Sequence, residues 1–190
     1  MIKREVIYFE KAGAVNTEAC VEVVKRAVSE EGINHVVVAS TFGDTGLKFA
    51  KALREFPNVN LVIVTHNYGF KEPGTNELTP ERRKELESLG AKVYTGTHVF
   101  RGVGASIRSH FHYSEEALIA QTLRILGQGL KVCVEITLMA CDAGLIPPED
   151  VIAVAGTARG ADTVAIIKAV PSNMFFNLKV REILAKPRDW

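Results

Sequence analysis

Ile33-Asn34-His35-Val36-Val37-Val38-Ala39 runs without a break into Ser40-Thr41-Phe42-Gly43-Asp44-Thr45-Gly46, and the reading of these residues decides the fold. The first seven are β-branched and almost wholly apolar. That suits a strand covered on both faces by helices, because a half-exposed strand alternates apolar and polar positions. Beyond the turn, Leu47, Phe49, Ala50 and Leu53 fall at helical spacing. Pro57-Asn58 then breaks the chain, and Leu61-Val62-Ile63-Val64-Thr65 is a second apolar strand. The unit is strand, helix, strand.

The same alternation extends both ways. Upstream, Asn16-Thr17-Glu18 is a helix start, Val21, Val24, Lys25 and Val28 carry the period to Glu31, and Gly32 can take a left-handed cap. Downstream, Thr79 with Pro80 behind it is an N-cap and first-turn pair; the helix runs through Leu86 to Leu89, Gly90 ends it, and 91–94 is a third strand. A glycine-rich stretch over 96–109 follows, and Ser114-Glu115-Glu116 starts a helix towards Leu126. Residues 151–155 are the last clear central strand, and the apolar run 164–170 is read as a helix. Segment 131–142 reads two ways: Val132, Val134, Ile136 and Thr137 favour a strand, whereas its end resembles a helix terminus, and helix is preferred. The polar loop 67–77, with two glycines and a proline, is a candidate flap. The expected class is α/β, three layers, with a mainly parallel sheet.

With 190 residues, 47% apolar and 24% charged, the chain has the balance of one globular domain spanning 1–190. No repeat or long Pro/Gly/Ser linker divides it. Lys and Arg number 23 against 22 Asp and Glu, a net +1, so no global field draws it to nucleic acid or an anionic membrane. No apolar run approaches the roughly 20 residues of a bilayer span, and Met1-Ile2-Lys3-Arg4-Glu5 has no apolar signal region behind it, so a cytoplasmic protein is expected. Cys20, Cys133 and Cys141 lack ligand spacing and are expected to be buried thiols.

Two stretches invite chemistry. In 40–46, small hydroxyl residues and glycines let backbone N–H groups approach an anion, and the following helix N-terminus adds a partial positive charge. A plain strand-to-helix turn built from good cap residues explains this stretch equally well. It matches neither the nucleoside-triphosphatase loop nor the dinucleotide fingerprint. Gly156-Thr157-Ala158-Arg159-Gly160-Ala161-Asp162-Thr163 makes a similar turn after the last central strand, and Arg159 offers a fork that can clasp a phosphate or cap a neighbouring helix. Thr65-His66-Asn67 and Thr95-Gly96-Thr97-His98, leading to Arg101, sit at expected strand ends, where each histidine could meet a ligand or be an ordinary hydrogen-bonding residue. His110-Phe111-His112 could offer two ligands from one strand, but no carboxylate or cysteine completes a metal pattern, and no metal is expected. Glu135 interrupts an apolar run and needs a partner if buried, a structural ion pair being preferred to catalysis; Glu10 and Asp142 are weaker candidates of the same kind.

Val36 to Gly46, the stretch Leu61-Val62-Ile63-Val64-Thr65-His66-Asn67, the helix ending at Leu89-Gly90 and the closing Val154-Ala155-Gly156-Thr157 together resemble the C-terminal α/β domain of pyruvate kinase, over roughly 15–170, in the manner of stand-alone proteins comprising only that domain. Nothing in the chain resembles the barrel that carries pyruvate kinase's active site, so kinase activity is not implied. The resemblance implies a sheet in the order three-two-one-four-five with the last strand antiparallel. That order puts the strands before Ser40 and Gly156 side by side at the point where it reverses, where open α/β sheets bind ligands. In pyruvate kinases the loop equivalent to 40–46 holds a phosphate of a sugar-bisphosphate effector, and the stand-alone relatives are associated with flavin mononucleotide (FMN). Phe42 and Asp44 depart from the effector loop: a carboxylate repels phosphate unless Asp44 points away, and Phe42 could lie against a flat ring. The resemblance thus implies a small phosphorylated ligand, FMN first, between loops 40–46 and 156–163. Ser40, Thr41, Gly43, Thr45 and Gly46 would hold the phosphate, Gly156, Thr157, Arg159, Gly160 and Thr163 would close the other side, and His66 and Asn67 would form the rim. Any turnover would be flavin-dependent oxidoreduction; the alternative is a non-catalytic regulatory module sensing a sugar phosphate or nucleotide. Surfaces that meet other parts of pyruvate kinase would need cover, so a homo-oligomer is expected, with Met174-Phe175-Phe176-Asn177-Leu178 as the candidate interface or, alternatively, the antiparallel edge strand.

Overall fold

The computed structural model describes residue 1 and residues 3–190. Seven strands form one sheet: β1 (Ile7–Phe9), β2 (His35–Ala39), β3 (Asn60–Val64), β4 (Lys92–Tyr94), β5 (Asp150–Ala155), β6 (Thr163–Lys168) and β7 (Lys179–Pro187). Their order is β1-β7-β6-β5-β2-β3-β4, with β6 antiparallel to both neighbours and every other pair parallel. Read from β4 inward, this contains the expected three-two-one-four-five order; β7 and β1 extend it.

The central strands β2, β3, β5 and β6 are buried on both sides because their residues alternate between two apolar layers. Val36 and Val38 of β2 pack with α1 (Thr17–Glu31), α2 (Asp44–Ala52) and α3 (Pro80–Ser88), around Phe49 and Leu86. Val37 faces the other way, towards α6 (Gln128–Asp142) and its Ile136 and Met139. The second layer is completed by α5 (Glu115–Arg124), whose Ala120 packs with Leu130, Ala153 and Ile167. Chain signals set the ends as expected: Gly32 closes α1 at φ 66°, the Thr79 and Ser114 side chains accept N–H bonds from Arg82 and Ala117, and Pro80 opens α3.

Three expectations are corrected. The run 164–170 is not a helix: β6 lies between β5 and β7, buried on both faces, and a short apolar β-branched run has no period that separates it from a buried helix. The glycine-rich stretch 96–109 carries a further helix, α4 (Gly102–Phe111), over its second half. Gly104 permits this, because a Cβ there would sit 2.4 Å from Glu116 Oε2 on α5. His110 and His112 therefore end a helix and are exposed, not paired along a strand. Segment 131–142 is helical, as preferred. The stretch Met174 to Leu178 is not an edge strand: it lies in and just after a 3-10 turn, Ser172–Asn177, with Phe175 turned in against Phe100 at 5.8 Å and Phe176 92% exposed.

Candidate functional site

The chain passes from β2 through α2 to β3 on one face and returns to β5 through α5 and α6 on the other, so the order reverses between β2 and β5. Over their carboxyl ends opens a cavity of about 550 Å³, within the range of small-molecule sites. Loop 40–46 supplies Ser40, Thr41, Phe42, Asp44 and Thr45, and loop 156–163 supplies Gly156, Ala158, Arg159 and Gly160. His66, Phe70, His98 and Arg101 come from the ends of β3 and β4, and Arg108, Arg124, Lys131 and Glu135 from α4, α5 and α6.

The first loop is tightly built. Gly43 turns at φ 91°, and Ser40 Oγ accepts the Gly46 N–H at 3.0 Å, so Ser40 is already committed. Thr41 and Thr45 remain beside the start of α2. Asp44 Oδ1 lies 3.4 Å from an Arg82 guanidinium nitrogen, which offsets the repulsion it would exert on an anion. Gly46 does not line the cavity: a Cβ there would meet Ile63 Cγ2 at 3.1 Å and Leu86 Cδ2 at 3.3 Å, so its smallness serves the core. Gly43 likewise lies under Arg82, where a Cβ would sit 2.4 Å from the side chain.

The second loop is organised by a residue whose role the sequence reading missed. Asp162 is fully buried and accepts N–H bonds from Gly13 at 2.8 Å and Thr157 at 2.9 Å and the Thr163 hydroxyl at 2.8 Å. Thr17 Oγ1 accepts the Ala161 N–H, and Gly160, at φ 74°, passes so close to Ala14 that a Cβ would lie 2.4 Å from its Cα. The loop is thus clamped onto the start of α1. Thr163 is buried in this network and Thr157 turns its N–H into it, so neither lines the cavity. Asn67 lies outside the lining too, its side chain donating to the Tyr68 carbonyl.

Two aromatic faces border the opening, each carrying a cation. Arg159 lies 4.5 Å over the Phe42 ring, with Lys71 5.1 Å from the same ring. Phe70 stacks on His66 at 3.7 Å and carries Arg101 at 4.4 Å. Inside, Lys131 Nζ donates to Glu135 Oε2 at 2.5 Å and the Phe100 N–H to Glu135 Oε1 at 3.1 Å. Glu135 thus has its expected partner, four residues earlier on α6. Burial pushes its carboxyl up, but the His98 contact and the Lys131 charge outweigh burial and hold it at about 2. Burial keeps the Lys131 ammonium below its ordinary range despite Glu135, and Arg124 and Arg101 add repulsion. Glu10 and Asp142 are exposed, the latter accepting the Ser172 N–H. Burial raises the thiols of Cys20, to about 12, and Cys133, with Asp162 adding to both. No group of three or more potential metal ligands gathers among the described residues. No helix among them is long and apolar enough to cross a membrane.

A sheet that reverses order between two central strands, with its cavity over their carboxyl ends, defines the doubly wound α/β class. Within it the family is set by the chain itself: the model of the pyruvate kinase alpha/beta domain matches residues 18–168, and the chain belongs to that family.

Proposed function

We propose that the chain binds a small phosphorylated ligand, FMN foremost, in the cavity between loops 40–46 and 156–163. One observation carries this reading. Six cationic side chains, Lys48, Arg101, Arg108, Arg124, Lys131 and Arg159, line a cavity that holds only two carboxylates, Asp44 and Glu135, in a chain of net charge +1. Lys48 and Lys131 pair with Glu18 and Glu135, but among the described residues none of the four arginines has a carboxylate within 4.0 Å. Gathered like charges repel, and an anionic ligand relieves them. The Thr41 and Thr45 hydroxyls with the first N–H groups of α2 suit the phosphate, while Phe42 with Arg159 and Phe70 with His66 offer planar surfaces for a ring system. Bound FMN would supply redox chemistry, making flavin-dependent oxidoreduction the implied activity.

A second reading, a non-catalytic module sensing a sugar phosphate or nucleotide, is favoured by the covered Phe42 face, since a ring must displace or stack on Arg159 to use it. Colour decides between them. Flavin absorbance in the purified protein, with FMN in a mass spectrum of released small molecules, supports the first reading. Colourless protein whose melting temperature rises with sugar phosphates but not FMN refutes it. The proposal includes self-association, for which the exposed Phe176 and the α4 stripe Val103, Ile107 and Phe111 are apolar candidates.

A further inference from the structure

His66, after β3, and His98, after β4, stand side by side in the cavity wall with ring centroids 5.5 Å apart. Each is backed by a glutamate. Glu77 Oε1 lies 3.5 Å from His66 Nδ1 and Glu135 Oε2 lies 3.6 Å from His98 Nδ1, with the glutamate side chains only 10% and 3% exposed. A carboxylate at Nδ1 favours the tautomer with its proton there, leaving the lone pair at Nε2. His66 Nε2 is 3.3 Å from the Thr41 hydroxyl of the first loop. His98 Nε2 is buried and has no partner among the described residues.

A glutamate behind a histidine can also be a satisfied piece of core, but these groups are not satisfied. Besides His98 Nε2, both carboxylate oxygens of Glu77 are buried without a hydrogen bond among the described residues, and buried polar groups left so are few in folded proteins. The surrounding charges explain what is missing. Glu77 and Lys71, in loop 67–77, act on His66; Glu135 and Lys131, on α6, face His98; Arg101 sits over the Phe70 ring stacked on His66; Arg159 lies on the opposite loop. Burial, then the neighbouring His98, hold His66 below the ordinary histidine range, against the pull of Glu77. Two imidazolium rings this close repel, so the pair has room for one shared proton, and a dianion in the cavity would draw it in.

We propose that His66 and His98 form an acid–base pair: the site takes up one proton together with a phosphate dianion, holds it at Nε2 of one imidazole and presents the lone pair of the other. A proton then passes from the imidazolium to the ligand while another passes from the ligand to the neutral ring, so charge balances and nothing is oxidised or reduced. This rests on the reading that the cavity binds a phosphorylated ligand.

The test is calorimetry of the full chain with FMN and, separately, inorganic phosphate, in phosphate-free buffers of different ionisation heat, alongside nitrogen-15 spectra of the histidine rings. The expected result is uptake of about one proton per bound ligand at about pH 8, where both probes are already mostly dianions, both rings protonated at Nδ1 beforehand and one ring doubly protonated afterwards. Glu77→Gln should keep the fold and lower the uptake to about half or less, while His66→Gln should abolish the doubly protonated ring. Binding without proton uptake, or with both rings neutral throughout, overturns the proposal and leaves the ligand reading standing. Failure of both probes to bind overturns the ligand reading, and the proposal with it.

Discussion

Glu135→Gln isolates the buried charges under the cavity. Glu135 is 2% exposed and Lys131 7%, so neither finds water when its partner goes. The amide keeps the size of the side chain and can still accept the Phe100 N–H through its oxygen. It cannot neutralise the Lys131 ammonium 2.5 Å away. Removing one partner of a buried pair costs about 3 to 5 kcal/mol, because the other charge stays desolvated. At about 2 to 4 °C per kcal/mol for a chain of this length, the melting temperature should fall by roughly 10 °C. Lys131→Met should cost less, since Glu135 keeps the Phe100 N–H and His98. The double variant should lie nearer the wild type than the sum of the singles, because no uncompensated charge remains. The acid limb gives a second readout. The folded carboxyl sits at about 2 against an ordinary 4.5; a value depressed by folding means that its stabilisation is whole above pH 4.5 and drains away as the pH falls towards 2. The depressed Lys131 offsets part of this gain. Urea unfolding across that range checks both points: a loss under about 1 kcal/mol, or an acid limb in Glu135→Gln as steep as in the wild type, would refute the reasoning.

Gly46→Val should lower stability by about 1 to 3 kcal/mol through overpacking against Ile63 and Leu86, visible in denaturant melts, with affinity per folded molecule unchanged, since the proposed phosphate contact falls to the neighbouring Thr45 and not to Gly46. Arg159→Lys should weaken FMN or phosphate binding about tenfold, or 1.4 kcal/mol, measured by titration, with thermal stability nearly constant because the side chain is exposed. If the chain self-associates as proposed, Phe176→Asp should shift light scattering towards monomer without unfolding, whereas Phe175→Asp should unfold the segment packed on Phe100; an unaltered mass for Phe176→Asp removes that surface from the proposed self-association.

The central sheet was legible because its central strands are buried on both faces and its helices carry a chemical stop at Gly32 and chemical starts at Thr79-Pro80 and Ser114. β6 was not, because Thr163–Lys168 is as apolar as a buried helix and only its pairing with β5 and β7 makes it a strand. The two loops were legible from their place after central strands. Which of their residues face the cavity was not, because glycines look alike in sequence: Gly156 lines the cavity, while Gly46 makes room for Ile63. Lys131 could have been found as the cation one helical turn before Glu135. Arg108 and Arg124 could not, since only the packing of α4 on α5 and of α5 on α6 brings them to the cavity.

Three acids in or behind the loops around this cavity differ in how completely their oxygens are used, and that difference sorts their roles. Asp162 accepts two N–H groups and a hydroxyl between two chain segments, leaving nothing for a ligand. Glu135 is bound by Lys131 and the Phe100 N–H but shares one oxygen with His98. Among the described residues, Glu77 has only His66 within 4.0 Å as a charged partner. An acid saturated by backbone donors holds structure, whereas one left short beside an imidazole is free to back that ring at Nδ1. Asp162→Asn should therefore cost about 1 to 3 kcal/mol, because a neutral amide oxygen accepts the Gly13 and Thr157 N–H groups less strongly than a carboxylate and the amide nitrogen forces the Thr163 hydroxyl to turn from donor to acceptor, without changing the proton taken up per ligand bound. Glu77→Gln should do the reverse, keeping or raising stability by relieving a poorly compensated buried carboxylate while the proton uptake falls. Denaturant unfolding and two-buffer calorimetry on both variants separate the cases, and a Glu77→Gln protein that loses stability as Asp162→Asn does would show the Glu77–His66 contact to be structural.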